Sequence, residues 1–577
     1  MSAFTDAVDR VRRGDDHHDV ARELVSEMTL DEKLGCLDGD TPLWPGIFDM
    51  TSGGYYQHPW PAAKVPRLGI PGIDFADGPR GCVVGDATAF PVSMARGATF
   101  DPELEERIGE AIGAELRASG ATYTGAVCMN LLRHPAWGRA QETYGEDPYH
   151  VGAMAVALTR GLQRHVMACM KHFALNSMEN ARFSVDVEVD ERALHEVYLP
   201  HFRRVAEEGV ASVMSAYNSV NGQFCGENET LLRGILKEEW GFDGFVLSDF
   251  TFGTHPDSAI NGLDLEMPSP NVFRDLLQQV QSGAVPESVV DDAVSRMVRK
   301  KLQYDLASAS PVDERVIASE AHLAIAQEAS ADGSVLLKND AGALPLDETS
   351  ITRIAVVGSL ADTPNIGDTG SSNVRPSFVI TPLQGIEEAL GDRVAIDHIG
   401  KDRLDADDLA LIEAADAVIV VTGLTSEDEG EGLIGGGDRV DLSLGEARAG
   451  LIRSAAAAND RTIVVLEGGG AITMGEWLPD VEALLMVWYP GQMGGHAIAD
   501  LLFGAVNPSG KLPITFPTGL DQLPPFDNES PEVTYGYFHG YRYLDRNDAT
   551  PEFPFGFGLS YTCLLYTSDA ADDNRLV

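Results

Sequence analysis

Four stretches carry side chains suited to chemistry. Phe245-Val246-Leu247 is an apolar run of strand length that stops on Ser248-Asp249, which places a carboxylate at a strand's C-terminal end. His165 to Met170 is a second run, ending on Lys171-His172. Leu68 to Phe75 leads into a turn that carries Asp77, followed by Gly-Pro-Arg80. Val210 to Met214 ends near Tyr217-Asn218. In a closed (β/α)8 barrel the C-terminal ends of all strands face one active site, so these side chains would converge there. Singly, each has a plainer reading. An Asp after a strand commonly caps the next helix. Asp77 would serve as a turn residue, and His172 as a packed core histidine.

The intervening segments must position these ends. Helical periodicity is expected over Asp19 to Leu37, Pro102 to Ser119, Tyr149 to Gln163, Glu191 to Glu208, Leu231 to Glu239 and Pro286 to Leu306. Strands are expected at Ala126 to Leu132 and, after a turn, at Ala259 to Met267. This alternation is the barrel pattern. An open doubly wound sheet also alternates, but no Gly-x-Gly-x-x-Gly follows the first strand. A second alternating region holds four apolar runs, Ile354 to Gly358, Ala417 to Val421, Thr462 to Leu466 and Ala483 to Val487, with helical stretches at Leu383 to Leu390 and Leu444 to Ala458. Continuous apolar runs fit parallel strands buried on both faces. Glu427-Asp428-Glu429-Gly430-Glu431-Gly432, running on to Asp438-Arg439, is too Gly-rich for a helix and reads as an exposed loop. Its Gly435-Gly-Gly lacks the Gly-Lys-Ser/Thr ending of a phosphate cradle.

Composition bounds the function. A chain of 577 residues needs more than one core. A formal net charge of −47 makes nucleic acid and anionic membranes poor partners, since both need basic patches. No apolar run approaches the ~20 residues of a membrane helix. The charged stretch from Met1 to Asp19 lacks the apolar centre of a secretory signal, so a cytoplasmic location is expected. Six scattered cysteines with no Cys-x-x-Cys pair point to reduced thiols, not a disulfide framework or zinc site.

Taken together, the motifs resemble glycoside hydrolase family 3. They are Asp77-Gly-Pro-Arg-Gly, Gly138-Arg139-x-x-Glu142-x-Tyr-Gly-Glu-Asp-Pro148, Lys171-His172-Phe173, Ser212 to Asn218, Gly241 to Asp249 and Gly262 to Pro268. In the second half come Glu429-Gly-Glu431-Gly, Gly-Asp438-Arg439 and Pro508 to Pro517. The likeness runs in the family's order from about Leu30 to Thr562. It implies an α/β chain: a (β/α)8 TIM-like barrel followed by an α/β sandwich, with the active site between them. The expected division is a barrel over 1–310, a linker over 311–345, a sandwich over 346–520 and an extension over 521–562. The extension is similar to the run that leads into a fibronectin type III-like domain, absent here. The tail 563–577, from Cys563, resembles a translated sequencing adapter.

The resemblance implies a retaining exo-β-glycosidase, β-glucosidase first, with β-xylosidase or broad aryl-β-glycosidase activity next. Asp249 is the implied nucleophile and Glu431 the acid/base, with Glu429 as the alternative. The implied sugar contacts are Asp77, Arg139, Lys171, His172 and Tyr217, with Met214 as wall and Phe250 where many members carry Trp. Two carboxyl groups suit the reaction: in retaining enzymes they stand ~5–5.5 Å apart, one ionised to attack and one protonated to release the leaving oxygen. Lys171 and Arg139 would keep Asp249 ionised, and the like charges around Glu431 would raise its proton affinity. Arg139 could instead form a structural ion pair with Glu142 or Glu146. No Pro-Gly-His run follows Lys171-His172-Phe173, which argues against N-acetylglucosaminidase activity. The expected partner is a small β-glucoside or oligosaccharide, with no metal or organic cofactor, and a homo-oligomer is compatible with the sequence. The rival reading is an inactive, truncated carbohydrate-binding relative.

The acidic, Lys-poor composition reads either as adaptation to high salt or as compositional bias. Adaptation predicts that Tm and activity rise with salt into the molar range as screening removes self-repulsion. A Tm that falls steadily with added salt excludes it.

Overall fold

The computed structural model describes residues 2–305, 312–433 and 435–562. Apolar runs bounded by turn residues form the strands, shifted by a few residues from the expected positions. Six strands lie side by side in the order Trp60–Ala62, Ile73–Ala76, Tyr123–Cys128, Met167–Phe173, Ser212–Ser215 and Phe245–Leu247. All neighbours are parallel except the first pair. Bridges Leu247–Leu265, Glu266–Asp38 and Gly39–Ala62 carry the last strand round to the first, so the sheet curls into a closed barrel. The shift has a consequence. Lys171 and His172 lie within the strand Met167–Phe173, not beyond it, and are held by its ladder.

Helices cover the barrel, with three departures. The helix expected over Asp19 to Leu37 is two, His17–Ser26 and Leu30–Leu34, because Thr29 and Glu32 form a capping box that starts a new helix. The stretch Glu191 to Glu208 breaks before Pro200, which lacks the N–H needed to continue. Ala259 to Met267 is not a strand: Ser258–Asn261 is a helical turn ended by Gly262, and only single bridges follow.

The second sheet has the order Val335–Asn339, Ala483–Met486, Thr462–Glu467, Ala417–Gly423, Arg353–Val357 and Ala395–Ile399, with the first strand antiparallel to its neighbour. The four apolar runs are its centre. The edge Ala395–Ile399 lacks a continuous apolar signal, and the other edge, Val335–Asn339, carries only the short run Val335-Leu336-Leu337 and comes from inside the stretch 311–345 expected as linker. Residues 521–562 return to both domains. The strand Glu532–Thr534 pairs with Asp186–Glu188 of the barrel side, and Phe553 bridges to Phe516 of the second domain. The tail expected as an adapter, 563–577, lies outside the described residues. Among the described residues five cysteines are unpaired and buried, and no helix is long and apolar enough to cross a membrane.

The loop 425–439 is the contact that matters most. Its described residues form neither helix nor strand, as expected, but the loop is not simply exposed: Glu429 to Gly432 and Gly437 to Arg439 are buried where it sits on the barrel, while Glu427, Leu433 and Gly436 face solvent. The Asp438 carboxylate accepts backbone N–H groups of Gly138 (2.8 Å), Glu179 (2.8 Å) and Asn180 (3.0 Å). The Arg439 guanidinium donates to the carbonyls of Pro135 (2.6 Å) and Ala471 (2.8 Å), bridging the two domains. Gly138 fits because it has no side chain: a Cβ there would lie 2.3 Å from the carbonyl oxygens of both Gly430 and Gly437. Gly138→Ala should therefore unseat the loop, costing about 1–3 kcal/mol by overpacking. The checks are thermal unfolding and hydrogen exchange. Faster exchange over residues 427–438 is expected, and unchanged exchange there would refute the clash.

Candidate active site

A cavity of about 520 Å³ opens at the C-terminal end of the barrel strands, beneath the loop from the second domain. Its walls include Asp77, Arg139, Lys171, His172, Met214, Tyr217, Asp249, Phe250 and Glu431. The fold thus brings together nine of the ten residues singled out in the sequence. The tenth, Glu429, points elsewhere. It is fully buried, accepts from Gly469 N (2.6 Å) and the Tyr489 hydroxyl (2.8 Å), and pairs with Arg439 at 3.2 Å.

Asp249 sits where the strand Phe245–Leu247 ends. Its Oδ1 accepts the Phe250 N–H at 2.7 Å, while its buried Oδ2 bonds to no protein atom. It caps no helix, since the chain turns sharply instead. Thr251 takes φ +70°, a conformation costly for a β-branched residue and one that concentrates at functional sites. Phe250 packs on Phe75 with ring centroids 4.7 Å apart and forms part of the cavity wall.

The polar ring is built from interlocked pairs. Lys171 donates to both oxygens of Asp77 (2.7 and 2.9 Å), and the Tyr55 hydroxyl donates to Asp77 Oδ2 (2.7 Å). Arg139 makes a two-pronged contact with Glu142 at 3.0 and 2.6 Å, so it lines the cavity and also forms a structural ion pair. Glu146 bonds instead to Thr515 and to the N–H of Tyr541. His172 accepts at Nε2 from Arg139 (3.3 Å), with Nδ1 towards Asn130 Oδ1 (3.2 Å). Nε2 also lies 3.7 Å from Asp249 Oδ2, but burial, Arg139 and Lys171 drive the imidazole pKa far down, so this is no ion pair. The Tyr217 hydroxyl donates to the Phe250 carbonyl at 2.7 Å.

Glu431 is buried between barrel and loop. Its Oε1 accepts from Arg182 at 3.1 Å, and its Oε2 accepts the Ser371 N–H at 2.6 Å. Like-charge crowding does not govern it, contrary to the sequence reading. Glu427 is exposed, Asp428 pairs with Arg448 (2.8 Å) and Glu429 with Arg439, so folding separates the acidic run. Burial pushes the Glu431 pKa up, but Arg139, Arg182 and the Ser371 N–H outweigh it and bring it down to about 2. Asp249 moves the other way. Its burial outweighs Lys171, Arg182, Arg139 and the Phe250 N–H, so its pKa is raised rather than lowered. Asp77 is likewise raised by burial despite Lys171.

Tyr55, Arg182, Phe183 and Ser371 also line the cavity and were not singled out in the sequence. Arg182 joins Glu179 (2.8 Å) to Glu431 and lies over the rings of Phe183 (4.8 Å) and Tyr217 (5.3 Å). Its only local signal is a Glu three residues earlier, which is common on any surface turn. Ser371 contributes its backbone, which has no sequence signature.

Known proteins match this chain over both domains. Residues 61–300 match the model of the glycosyl hydrolase family 3 N-terminal domain, and 334–561 that of its C-terminal domain. Thermostable β-glucosidase B of Acetivibrio thermocellus is 36% identical, over 96% of this chain and 75% of its own. An exo-α-(1→6)-L-arabinopyranosidase of Bifidobacterium longum is 32% identical, over 95% of this chain and 74% of its own. The structure of β-glucosidase 3B from Thermotoga neapolitana with glucose superposes with a TM-score of 0.84 at 31% identity, covering 94% of this chain and 83% of that one. With barrel, sandwich and shared cavity in place, and with both domain models matched in order, the chain is a glycoside hydrolase and belongs to glycosyl hydrolase family 3.

Proposed function

We propose that the chain is a retaining, exo-acting β-glycosidase, and specifically a β-glucosidase that releases terminal β-D-glucosyl residues. The observation that carries this reading is the pairing of two buried carboxylates from different domains, Asp249 and Glu431, on one cavity of about 520 Å³. A cavity of that volume suits a monosaccharide with part of its leaving group. Asp249 Oδ2, free of protein hydrogen bonds, is the attacking atom, and displacement at the anomeric carbon gives a glycosyl ester on Asp249. Glu431 gives a proton to the leaving oxygen, then takes one from the water that hydrolyses the ester. Asp77 with Lys171, and Arg139 with His172, supply acceptors and donors for the sugar hydroxyls. Met214 is wall, and Phe250 offers a smaller apolar face than an indole would. Glu429 is held by Arg439, Tyr489 and Gly469 away from the cavity, which favours Glu431 as acid/base. The relative named for arabinopyranoside cleavage keeps pentopyranosides among the substrates to be compared.

The test is hydrolysis of aryl β-D-glucosides, β-D-xylosides and α-L-arabinopyranosides by the wild-type chain, Asp249→Asn, Glu431→Gln and Glu429→Gln. The glucoside is expected to have the highest kcat/KM. Asp249→Asn should lower activity at least about a thousandfold. Glu431→Gln should keep activity on activated aryl glycosides, lose it on cellobiose and be rescued by azide. Wild-type behaviour of Glu431→Gln on cellobiose would overturn the assignment.

The cations around Glu431 set the pH range. In the empty cavity they keep it ionised, which suits the base role, whereas the acid role needs the proton. Removing one cation raises its pKa, so the group stays protonated to higher pH. Arg182→Gln should accordingly move the basic limb of kcat/KM upward by about one pH unit. A limb that stays in place or moves down would contradict the acid role.

A further inference from the structure

Asp368 stands on the loop that follows the strand Arg353–Val357, outside the cavity wall, and is fully buried. Its Oδ1 accepts the backbone N–H of Glu431 at 3.2 Å. Its Oδ2 is buried and bonds to no protein atom. That oxygen and the Glu431 carboxylate border the same space at Gly370. A Cβ built on Gly370 would lie 2.8 Å from Asp368 Oδ2 and 2.5 Å from Glu431 Oε2, so Gly370 keeps open a narrow gap bordered by both. The segment is fixed from behind. Asp368 N donates to Gln141 Oε1 at 2.9 Å, and Arg80 donates to the carbonyls of Asp368 and Ser372. Among the described residues no cation forms an ion pair with the Asp368 carboxylate. A buried carboxyl oxygen without a donor, near a second carboxylate, is costly when ionised, so the pair favours holding a proton.

We propose that Asp368 is the positioning residue for Glu431, and that the two carboxyls form a coupled pair that holds one proton across the gap at Gly370. The inference rests on the reading of Glu431 as acid/base. The charged groups around Asp368 are Glu142 and Glu431, which favour its proton, and Arg80 and Arg139, which oppose it; Tyr56 donates to Gly370 O nearby. Burial and the two glutamates push Asp368 up to about 6. The proton rests on Asp368 in the empty cavity and passes to Glu431 for the first half-reaction. Glu431 gives it to the leaving oxygen, which leaves both carboxyls ionised. In the second half-reaction Glu431 takes a proton from the attacking water, and the one-proton state returns. The Asp368 charge thereby supports the Glu431 proton against Arg139 and Arg182.

Asp368→Asn keeps an acceptor for the Glu431 N–H, removes the charge and turns an amide donor towards Glu431. Glu431 then holds its proton less well. The basic limb of kcat/KM should move to lower pH, and turnover of a 4-methoxyphenyl glycoside should fall about tenfold while that of the 2,4-dinitrophenyl glycoside changes less than about twofold. A purely structural role would lower both rates equally and leave the limb in place, and that result overturns the proposal. Should Asp368→Asn not fold, NMR of the wild-type chain labelled at aspartate carboxyl carbons tests the same pair. One buried Asp should titrate near 6, with a midpoint that falls in Glu431→Gln as the neighbouring charge is lost; an unchanged midpoint overturns the pairing. If Glu431→Gln shows no leaving-group dependence, the acid/base reading and the pair both fall. If it does and Asp368→Asn matches wild type, the pair alone falls.

Discussion

The hold of Asp438 on three backbone N–H groups of the barrel is the interaction on which the cavity depends. A carboxylate that accepts several amide hydrogen bonds is among the stronger polar contacts available, because the charge meets donors that would otherwise be buried unpaired. Here it joins two domains that also share apolar packing, since Val92, Met94, Leu132 and Trp137 of the barrel half belong to the hydrophobic cluster of the second sheet. It fixes the loop that carries Glu431 above the strand ends, together with Arg182, which donates to Glu431 and to the Gly432 carbonyl. Arg439 completes the clamp by satisfying carbonyls on both sides, and Gly138 allows the backbones to touch.

Within the clamp, burial and fixed charge act against each other, and the outcome differs between two carboxylates in one cavity. Burial favours the neutral form of both. Glu431 meets Arg182 and the Ser371 N–H directly and ends ionised. Asp249 meets one backbone N–H and only more distant cations, because Lys171 is committed to Asp77 and Arg139 to Glu142. The cations named from the sequence are all present, but their nearest partners are other acids. A net charge of −47 therefore coexists with a cavity in which Lys171, Arg139 and Arg182 are each paired with carboxylates.

In the proposed retaining reaction Glu431 would carry a proton that its surroundings oppose. A sugar that enters displaces water and further desolvates both carboxyls, which favours neutral forms. Asp368 and Glu431 also border one space at Gly370. On the proposed reading, acid strength at Glu431 is a balance of two arginines on one side and burial with a second carboxyl on the other.

Much of this was legible in the sequence, because it depends on local patterns. Apolar runs ending on Asp249, on Lys171-His172 and near Tyr217 set the strands and hence one face for their side chains, and continuous runs in the second half set the centre of a parallel sheet. That Gly138 and Asp438 meet was not legible, since the contact joins segments 300 residues apart. Edge strands such as Ala395–Ile399 were not legible, since a half-exposed strand carries no continuous apolar run. Arg182, Tyr55 and Ser371 were not either, because their roles come from neighbours distant in the chain. The sequence by itself determined which elements form and which carboxylates stand at strand ends. Tertiary structure alone decided that Glu431 and not Glu429 faces Asp249's cavity, and in which direction burial and neighbouring charges push each carboxyl's pKa, because charge pairing and burial are properties of segments brought together from far apart.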